Sequence, residues 1–422
     1  MKPVHILAAT RTPFCRMGTE LAELSAADLG TRACAALLTQ AGLDPDTIAE
    51  TLIGCVAQPA DSANIARIIA LRAGLPQSTP AMTVHRNCAS GLEALTTAAE
   101  RIQAGRGELY LVGGTESMSN IPFLYPKNLQ NKLSQLSRAK TTTQKLSTIA
   151  SLRLDEFLHP VIGLQVGLTD PVSGLNMGQT AEVLAREFDI SREEQDVFAA
   201  ESHRKALASA NARASEISPL HVDGTALKND NGPRADSTRE KLATLRPVFE
   251  KNTGTVTAGN SSQVTDGAVA LLLGTEEAAH THGLTPLGRV VDYAYTGCDP
   301  KRMGLGPVHA IADLQQRSGL TLADADLVEL NEAFAAQSLA CLMALKDQKH
   351  AARAGLEAPL GEIPAEKLNP RGGAIALGHP VGATGARLVH SALSQLHEKN
   401  LKRALVTLCV GGGQGAALWL ET

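Results

Sequence analysis

Cys88 lies in sequence that favours a reactive thiol. A short β-like run at 81–84 and a polar turn precede it, and Ala-, Leu- and Glu-rich sequence with helical spacing follows at 89–104. This pattern predicts Cys88 at a helix N-terminus, where unpaired N–H groups and the helix dipole favour an anion. We expect its thiol to ionise more easily than usual and to act as a nucleophile. The alternative is a buried structural cysteine, which is the more frequent case.

Three other residues stand in polar or glycine-rich sequence directly after a strand-like run or between glycines: Asn331, His379 and Cys409. Glycine-rich backbone can approach a ligand or another segment closely, and its N–H groups can face an oxyanion. Each residue also has a structural interpretation. Asn331 could cap a helix, His379 could be a satisfied core histidine, and the glycines after Cys409 could form a tight turn.

Two cysteines and one histidine on separate glycine-rich turns predict acyl transfer through a thioester. In such chemistry a thiolate attacks a carbonyl carbon and a histidine takes the thiol proton. The second cysteine can then donate or remove a proton at carbon.

Composition narrows the class of protein. The 422 residues carry a net charge of −4 and only 3% aromatic residues, which disfavours nucleic acid as a partner. The seven cysteines are scattered without Cys-x-x-Cys pairs, which is typical of a reducing compartment and argues against a zinc site. No signal or transit pattern and no bilayer-length apolar run is visible, so we expect a cytoplasmic enzyme.

A weak internal duplication indicates two similar α/β halves packed together. In each copy a helical segment leads to a strand-like one. The pattern of residues 29–56 recurs at 308–330, and the pattern of residues 89–112 recurs at 382–409. A long middle region separates the halves.

The stretch 117–154 within that region contains no Asp or Glu. It contains six basic residues: Lys127, Lys132, Arg138, Lys140, Lys145 and Arg153. Leu129, Leu133 and Leu136 add one apolar helical face. We expect a basic surface that binds the coenzyme A phosphates, a partner subunit or an anionic membrane.

The motifs resemble those of the thiolase family over the whole chain. The matching segments are Arg11-Thr12-Pro13-Phe14, Asn87-Cys88-Ala89-Ser90-Gly91, Gly113-Gly114-Thr115-Glu116-Ser117-Met118-Ser119, Gly254-Thr255-Val256-Thr257-Ala258-Gly259-Asn260, Asn331-Glu332-Ala333-Phe334, Gly378-His379-Pro380 and Cys409-Val410-Gly411-Gly412-Gly413.

The resemblance implies a role for each catalytic residue. Cys88 would be the nucleophile, His379 the base that activates it, and Cys409 the acid or base at the substrate α-carbon. One oxyanion hole would combine His379 with a water held by Asn331. The other would use the backbone N–H groups of Cys88 and Gly411.

The resemblance also implies an α/β fold of two βαβαβαββ halves in αβαβα layers, with an inserted loop domain across which coenzyme A lies. Ser262 and Arg234 would contact the coenzyme, which is a substrate. No metal and no permanently bound cofactor is expected. The expected domains are residues 1–116 with 252–282 as the N-terminal half, 117–251 as the loop domain, and 283–422 as the C-terminal half.

The expected reaction is CoA-dependent cleavage of 3-ketoacyl-CoA to acyl-CoA and acetyl-CoA in fatty-acid β-oxidation. Acetyl-CoA acetyltransferase activity is the first alternative. A condensing enzyme using an acyl carrier would need a second histidine, and an inactive lipid-binding relative would lack one of the three catalytic residues. A homodimer or homotetramer is expected, with a hydratase/dehydrogenase subunit and peripheral membrane contact as further partners.

Branch signals within the family are mixed. Residues 152–155 near His159 and the insertion at 346–368 look like the thiolase subunits of β-oxidation complexes. That branch often has His where Asn331 stands, and the biosynthetic branch often has His where Asn176 stands.

Overall fold

The computed structural model describes residues 3–422. Its strands are β1 (Val4–Arg11), β2 (Cys15–Arg16), β3 (Glu50–Gly54), β4 (Ala81–Val84), β5 (Leu109–Ser117), β6 (Phe123–Leu124), β7 (Val161–Ile162), β8 (Leu220–Val222), β9 (Thr225–Leu227), β10 (Thr265–Gly274), β11 (Gly288–Gly297), β12 (Leu327–Leu330), β13 (Arg403–Val410) and β14 (Gln414–Glu421).

Its α-helices are α1 (Ala26–Ala41), α2 (Ile65–Arg72), α3 (Ser90–Gln103), α4 (Lys127–Arg138), α5 (Thr142–Ala150), α6 (Leu154–Leu158), α7 (Gly163–Gly167), α8 (Met177–Glu187), α9 (Arg192–Ala208), α10 (Ala210–Ala214), α11 (Arg239–Ala243), α12 (Glu276–Thr281), α13 (Gly306–Ser318), α14 (Ala335–Lys346), α15 (Gln348–Ala354), α16 (Ala374–Leu377) and α17 (Val381–Glu398). The short 3-10 helices are Pro45–Thr47, Met118–Asn120, Pro300–Leu305 and Leu322–Asp324.

The chain separates into two compact units: residues 121–169, and the remainder up to Asn120 and from Asp170. The predicted insertion at 117–251 contains the whole smaller unit, but its later part, with α8 and α9, belongs to the larger one. The predicted three-part domain division stays a prediction.

One mixed sheet runs through the larger unit in the order β12-β13-β14-β11-β1-β10-β5-β3-β4. On one side of the β1–β11 pair, β10 is antiparallel to β5, and β5 and β4 are both parallel to β3. On the other side, β14 is antiparallel to β13, and β13 is parallel to β12. A parallel bridge from Val328 to Leu368 stands where a counterpart of β4 would lie. This repeated pairing confirms the predicted duplication.

The sheet residues alternate between two environments, as half-buried pleats require. In β10, Val269 and Leu271 join the central core, whereas Ala270 and Leu272 pack with α1 and α2 on an outer side. The central core also contains α3, α17 and alternate residues of β13. Helices α13 and α14 pack with the opposite outer face. The layers are therefore helix, sheet, central helices, sheet and helix, which confirms the predicted fold class.

The two central helices meet backbone to backbone at glycines. A Cβ on Gly91 of α3 would lie 2.8 Å from the carbonyl oxygen of Gly382, and one on Gly385 would lie 2.7 Å from Leu92 N. On the sheet side, a Cβ on Gly114 would lie 2.0 Å from the same Gly382 oxygen. Glycine is therefore required here because any side chain would force the helices apart.

The smaller unit is a β6–β7 ladder with helices α4 to α7. Leu129 is buried, and the Tyr125 and Phe157 rings meet edge to face at 6.3 Å. Lys132 is not the free surface cation that the sequence suggested. Its Nζ lies 2.8 and 2.9 Å from the two carboxylate oxygens of Glu156, which follows the acid-free stretch. The binding role of this surface stays a prediction.

Across residues 3–422, we find no helix long and apolar enough to cross a membrane.

Replacing Gly385 by Ala should destabilise the protein by about 1–3 kcal/mol through overpacking against α3. In an exposed helix the same change would be stabilising by up to about 1 kcal/mol. The sign of the change in unfolding free energy therefore distinguishes close packing from an exposed helix. Urea unfolding followed by circular dichroism measures the difference. Gly297→Ala is the control, because no atom lies within 4 Å of its added Cβ. Equal stability of the two variants would contradict the close-packing argument.

Candidate active site

The turn that carries Cys88 is built by its own side chains. Asn87 has the left-handed φ of 43°, and α3 begins at Ser90. The Ser90 hydroxyl accepts from the Arg86 N–H at 2.9 Å and donates to the Asn87 carbonyl at 2.7 Å. The Asn87 amide nitrogen also donates to the Gly411 carbonyl at 2.6 Å. The predicted nucleophile is thus locked against the loop that follows β13.

Burial changes the expected ionisation of Cys88. Desolvation raises the pKa of the thiol, and the backbone N–H groups of Gly411 and of Cys88 itself lower it by less. The nearby Glu116 carboxylate raises that pKa further. The expectation of an easily ionised thiol is therefore wrong, because desolvation outweighs the helix terminus. Cys88 needs a base.

His379 offers the geometry of a base. Its Nδ1 lies 2.6 Å from the Thr384 hydroxyl, which donates to the Pro380 carbonyl at 3.1 Å. Because that hydroxyl donates its hydrogen to the Pro380 carbonyl, it accepts a hydrogen bond from His379, so Nδ1 carries the hydrogen. The buried Nε2 is then the free acceptor, and it has no partner among the described residues. A satisfied structural histidine does not fit this arrangement.

The charge state of His379 agrees with that role. Burial, and after it the Arg387 guanidinium, lowers the pKa of His379 to about 3. The ring is therefore neutral at physiological pH and can accept a proton.

Cys409 lies near the end of β13 and is 1% exposed. Burial, and next the Cys88 thiol, hold the pKa of Cys409 well above its ordinary value, so it carries a proton to donate. The glycines that follow do form the hairpin turn to β14, with Gly412 and Gly413 at φ of 88° and 80°. Cys409 belongs to a hydrophobic cluster whose other members are Met177, Ala181, Ala185, Phe249, Val256, Met303, Ala333, Phe334 and Ala336.

Asn331 follows β12 and is fully buried. Its N–H donates to the Thr407 carbonyl at 3.0 Å, which ties it to the strand that carries Cys409. Neither its amide nitrogen nor its amide oxygen has a partner among residues 3–422. It caps no helix, since α14 begins after Phe334 without a side-chain cap. A buried, unpaired carboxamide indicates a ligand or water site.

The helix pair brings these groups together. The first turn of α17, which follows His379, touches the first turn of α3, which follows Cys88. Asn87 joins Cys88 to Gly411, and the backbone N–H of Gly411 lowers the pKa of the Cys88 thiol.

The predicted coenzyme contacts lie on adjoining segments. The Ser262 N–H donates to the Ala333 carbonyl at 2.9 Å, beside the Asn331 segment. Arg234 lines a cavity of about 200 Å³ together with Lys241 and with Gln263, the neighbour of Ser262. Asp236 lines the same cavity and pairs with Lys241, so Arg234 is the cation there that suits a phosphate-bearing ligand.

Sequence reasoning missed Asn87 and Thr384 as site residues. Asn before the nucleophile was a visible signal, since Asn tolerates a left-handed φ. No sequence signal identified Thr384, because a hydroxyl on a helix has many other uses. No three His, Cys, Asp or Glu side chains within 3–422 converge as a metal site requires.

Two family models match the chain. The model described as "Thiolase, N-terminal domain" matches residues 4–277, and "Thiolase, C-terminal domain" matches residues 284–422.

Relatives of known name match over nearly the full length. The chain is 42% identical to a β-ketoadipyl-CoA thiolase of Pseudomonas aeruginosa, covering 100% of this chain and 99% of the relative. It is 39% identical to a 3-ketoacyl-CoA thiolase of Pectobacterium carotovorum, with 99% and 96% covered. Human mitochondrial 3-ketoacyl-CoA thiolase in complex with CoA superposes with a TM-score of 0.86 at 37% identity, with 100% and 98% covered.

Replacing Thr384 by Val should lower kcat by about 10- to 100-fold, part of the ~10²–10⁴ that a general base contributes. Valine keeps the shape but removes the acceptor that fixes the His379 tautomer. Steady-state thiolysis of acetoacetyl-CoA measures the change, and Thr384→Ser, which keeps the hydroxyl, is the control. Wild-type kcat in the valine variant would show that this hydrogen bond does not orient the base.

Proposed function

The chain belongs to the thiolase family, and from that premise we propose that it cleaves neutral 3-ketoacyl-CoA thioesters with CoA through an acyl-Cys88 intermediate. It is an acyltransferase that uses CoA as a substrate. The observation that carries the proposal is the contact between the first turns of α3 and α17, which follow Cys88 and His379. His379 is neutral with a free Nε2, and Cys409 adds a second, protonated thiol.

In the first half-reaction His379 Nε2 takes the proton of the Cys88 thiol. The sulfur attacks the C3 carbonyl carbon of the 3-ketoacyl-CoA, and the N–H groups of Cys88 and Gly411 would face the oxyanion. The C2–C3 bond then breaks, leaving an acyl group on Cys88. The electron pair of the broken C2–C3 bond stays with the leaving acetyl-CoA enolate, which takes a proton at C2 from Cys409.

The second half-reaction returns both protons. The Cys409 thiolate takes the thiol proton of an incoming CoA, and the CoA sulfur attacks the acyl carbonyl. The tetrahedral intermediate expels the Cys88 thiolate, which recovers its proton from His379. Asn331 would hold the water that supports the enolate oxygen, since its buried carboxamide has no partner among the described residues.

The preference for a neutral acyl group is supported by the surroundings of Cys409. The hydrophobic cluster that contains Cys409 includes Phe249 and Phe334, whose rings meet edge to face at 6.0 Å. The carboxylate of Asp170 lies 3.9 Å from where a Cβ on Gly412 would stand, and it is 5% exposed. An acyl chain ending in a carboxylate would meet this like charge in a poorly solvated place.

Thiolysis of acetoacetyl-, 3-ketooctanoyl- and 3-ketoadipyl-CoA tests the substrate class. We expect kcat/KM for 3-ketooctanoyl-CoA to exceed that for 3-ketoadipyl-CoA by at least about tenfold, the factor of a ~1.4 kcal/mol penalty. Asp170→Asn should reduce this difference by raising kcat/KM for 3-ketoadipyl-CoA alone. A preference for 3-ketoadipyl-CoA would reverse the proposal, and activity confined to acetoacetyl-CoA would favour the acetyl-CoA acetyltransferase alternative.

Cys409 and His379 should have separable roles because they move protons at different atoms. Cys409→Ala should abolish carbon–carbon cleavage yet leave Cys88 acylated by acetyl-CoA, whereas His379→Ala should suppress acylation itself. Intact-protein mass spectrometry after mixing with acetyl-CoA, followed by peptide mapping, measures the adduct. An adduct on Cys409 instead of Cys88, or equal loss in both variants, would overturn the assignment.

Self-association as a homodimer or homotetramer, a hydratase/dehydrogenase partner subunit and peripheral membrane contact stay predictions from the resemblance.

A further inference from the structure

Glu116, near the end of β5, lies between the two halves with both carboxylate oxygens engaged. Oε2 accepts from the Val56 N–H at 3.0 Å and from the Gly382 N–H at 2.9 Å. Oε1 accepts from the Ala57 N–H at 2.9 Å and faces the Cys55 thiol at 3.7 Å. The side chain is fully buried.

The partners of Glu116 define its charge. Burial raises the pKa of this carboxyl, and the three backbone N–H groups and the thiol oppose that rise. All four partners are donors, so the ionised carboxylate satisfies each of them and a protonated acid would leave its own hydrogen without an acceptor. The salt bridges found within residues 3–422 do not include Glu116. A buried carboxylate held mainly by backbone N–H groups fixes those backbones firmly, because loss of the acceptor would strand several donors.

The first turn of α17 transmits this contact to His379. Gly382 is the second residue of α17, and Pro380, with φ −68°, stiffens the short link back to His379. The same turn carries Thr384, whose hydroxyl holds His379 Nδ1 at 2.6 Å. A shift of the turn would therefore move the ring and its hydrogen-bond acceptor together.

The space around this contact leaves little tolerance for such a shift. A Cβ on Gly382 would lie 2.8 Å from Glu116 Oε2, 2.8 Å from the Thr115 carbonyl and 3.0 Å from Cys55 Cα. The helix start thus rests against the ends of β5 and β3 at backbone contact.

We propose that Glu116 is a positioning residue that fixes the first turn of α17 on the N-terminal half and so holds His379 Nε2 within reach of the Cys88 thiol. The inference rests on the proposed role of His379 as the base. Glu116 touches neither substrate nor reacting atoms in this scheme. Its charge has a second consequence, since it raises the pKa of the Cys88 thiol and so keeps that sulfur protonated until His379 accepts the proton.

Glu116→Gln tests the proposal, because a carboxamide offers one acceptor oxygen where two now serve four donors. The rate constant of Cys88 acylation by acetyl-CoA, measured by rapid quench and intact-protein mass spectrometry, should fall by about 10- to 100-fold, as a displacement of about 1 Å costs. KM for CoA in thiolysis should stay within about twofold, because the predicted coenzyme contacts, Ser262 and Arg234, are not among the partners of Glu116.

Glu116→Gln in the His379→Ala background distinguishes loss of His379 positioning from general damage to the protein. If Glu116 acts through His379, the double variant should acylate at the rate of His379→Ala alone. If Glu116→Gln lowers the acylation rate constant in the His379→Ala background by the same factor as in the wild-type background, the inference is overturned. Wild-type acylation in His379→Ala itself would instead mean that the proposed base is misassigned, which is a failure of the proposed function.

The pH dependence of Cys88 alkylation by iodoacetamide gives a readout that a purely structural role would not move. Removing the negative charge should shift the midpoint to lower pH in Glu116→Gln. The groups facing Glu116 that titrate are the Cys55 and Cys88 thiols. An unchanged midpoint would contradict the ionised state of Glu116 and with it the inference.

Two further variants provide an alternative perturbation of the same contact and a control. Gly382→Ala keeps the carboxylate but pushes the helix start away from it, so it should reproduce the loss of acylation if Glu116→Gln fails to fold. Asp326→Asn is the matched control, because the half-buried Asp326 carboxylate accepts from the Lys402 and Arg403 N–H groups at 2.9 and 3.0 Å, at the end of β13 away from Cys409. It should lower Tm while leaving the alkylation midpoint unchanged. A shifted midpoint in this control would remove the specificity on which the inference depends.

Discussion

The structure depends on the backbone contact between the two central helices. Gly91, Gly382 and Gly385 let α3 and α17 approach until main-chain atoms touch, with no room for a side chain between them. Because both helices begin at the same end of this contact, the turn before α3 and the turn before α17 become neighbours. One turn carries Cys88 and the other carries His379, so the packing of the two halves creates the site.

The same close packing excludes water, and desolvation then decides the charge of each reactive group. Burial raises the pKa of Cys88 and Cys409 and lowers that of His379, which favours the neutral form in all three. In the proposed mechanism the neutral Cys88 thiol passes its proton to the neutral His379 imidazole when an acyl carbonyl arrives. The Cys409 thiol keeps its proton, as the proposed protonation of the substrate α-carbon requires. The buried Asn331 carboxamide adds a polar group without adding charge.

The duplicated halves contribute to the site in related but different ways. At the end of β5, Glu116 accepts from the Gly382 N–H of the opposite half. After β13, the Gly411 carbonyl accepts from the Asn87 amide of the opposite half. Each strand end thus contacts the start of the other half's central helix. One contact is made by a buried carboxylate, and the other holds Gly411, whose backbone N–H lowers the pKa of the Cys88 thiol.

The duplicated α/β halves and the residue types on the turns were predictable from the sequence, because periodicity, glycine placement and strand ends are properties of neighbours along the chain. It predicted the strand at 327–330 and the helix at 382–398 nearly to the residue. The remaining features depend on tertiary packing. Lys132 meets Glu156, Glu116 meets the Gly382 N–H, and the thiol of Cys88 is harder to ionise than its helix terminus implied. Desolvation and long-range hydrogen bonds depend on which distant segments pack around a group, and local sequence does not encode that.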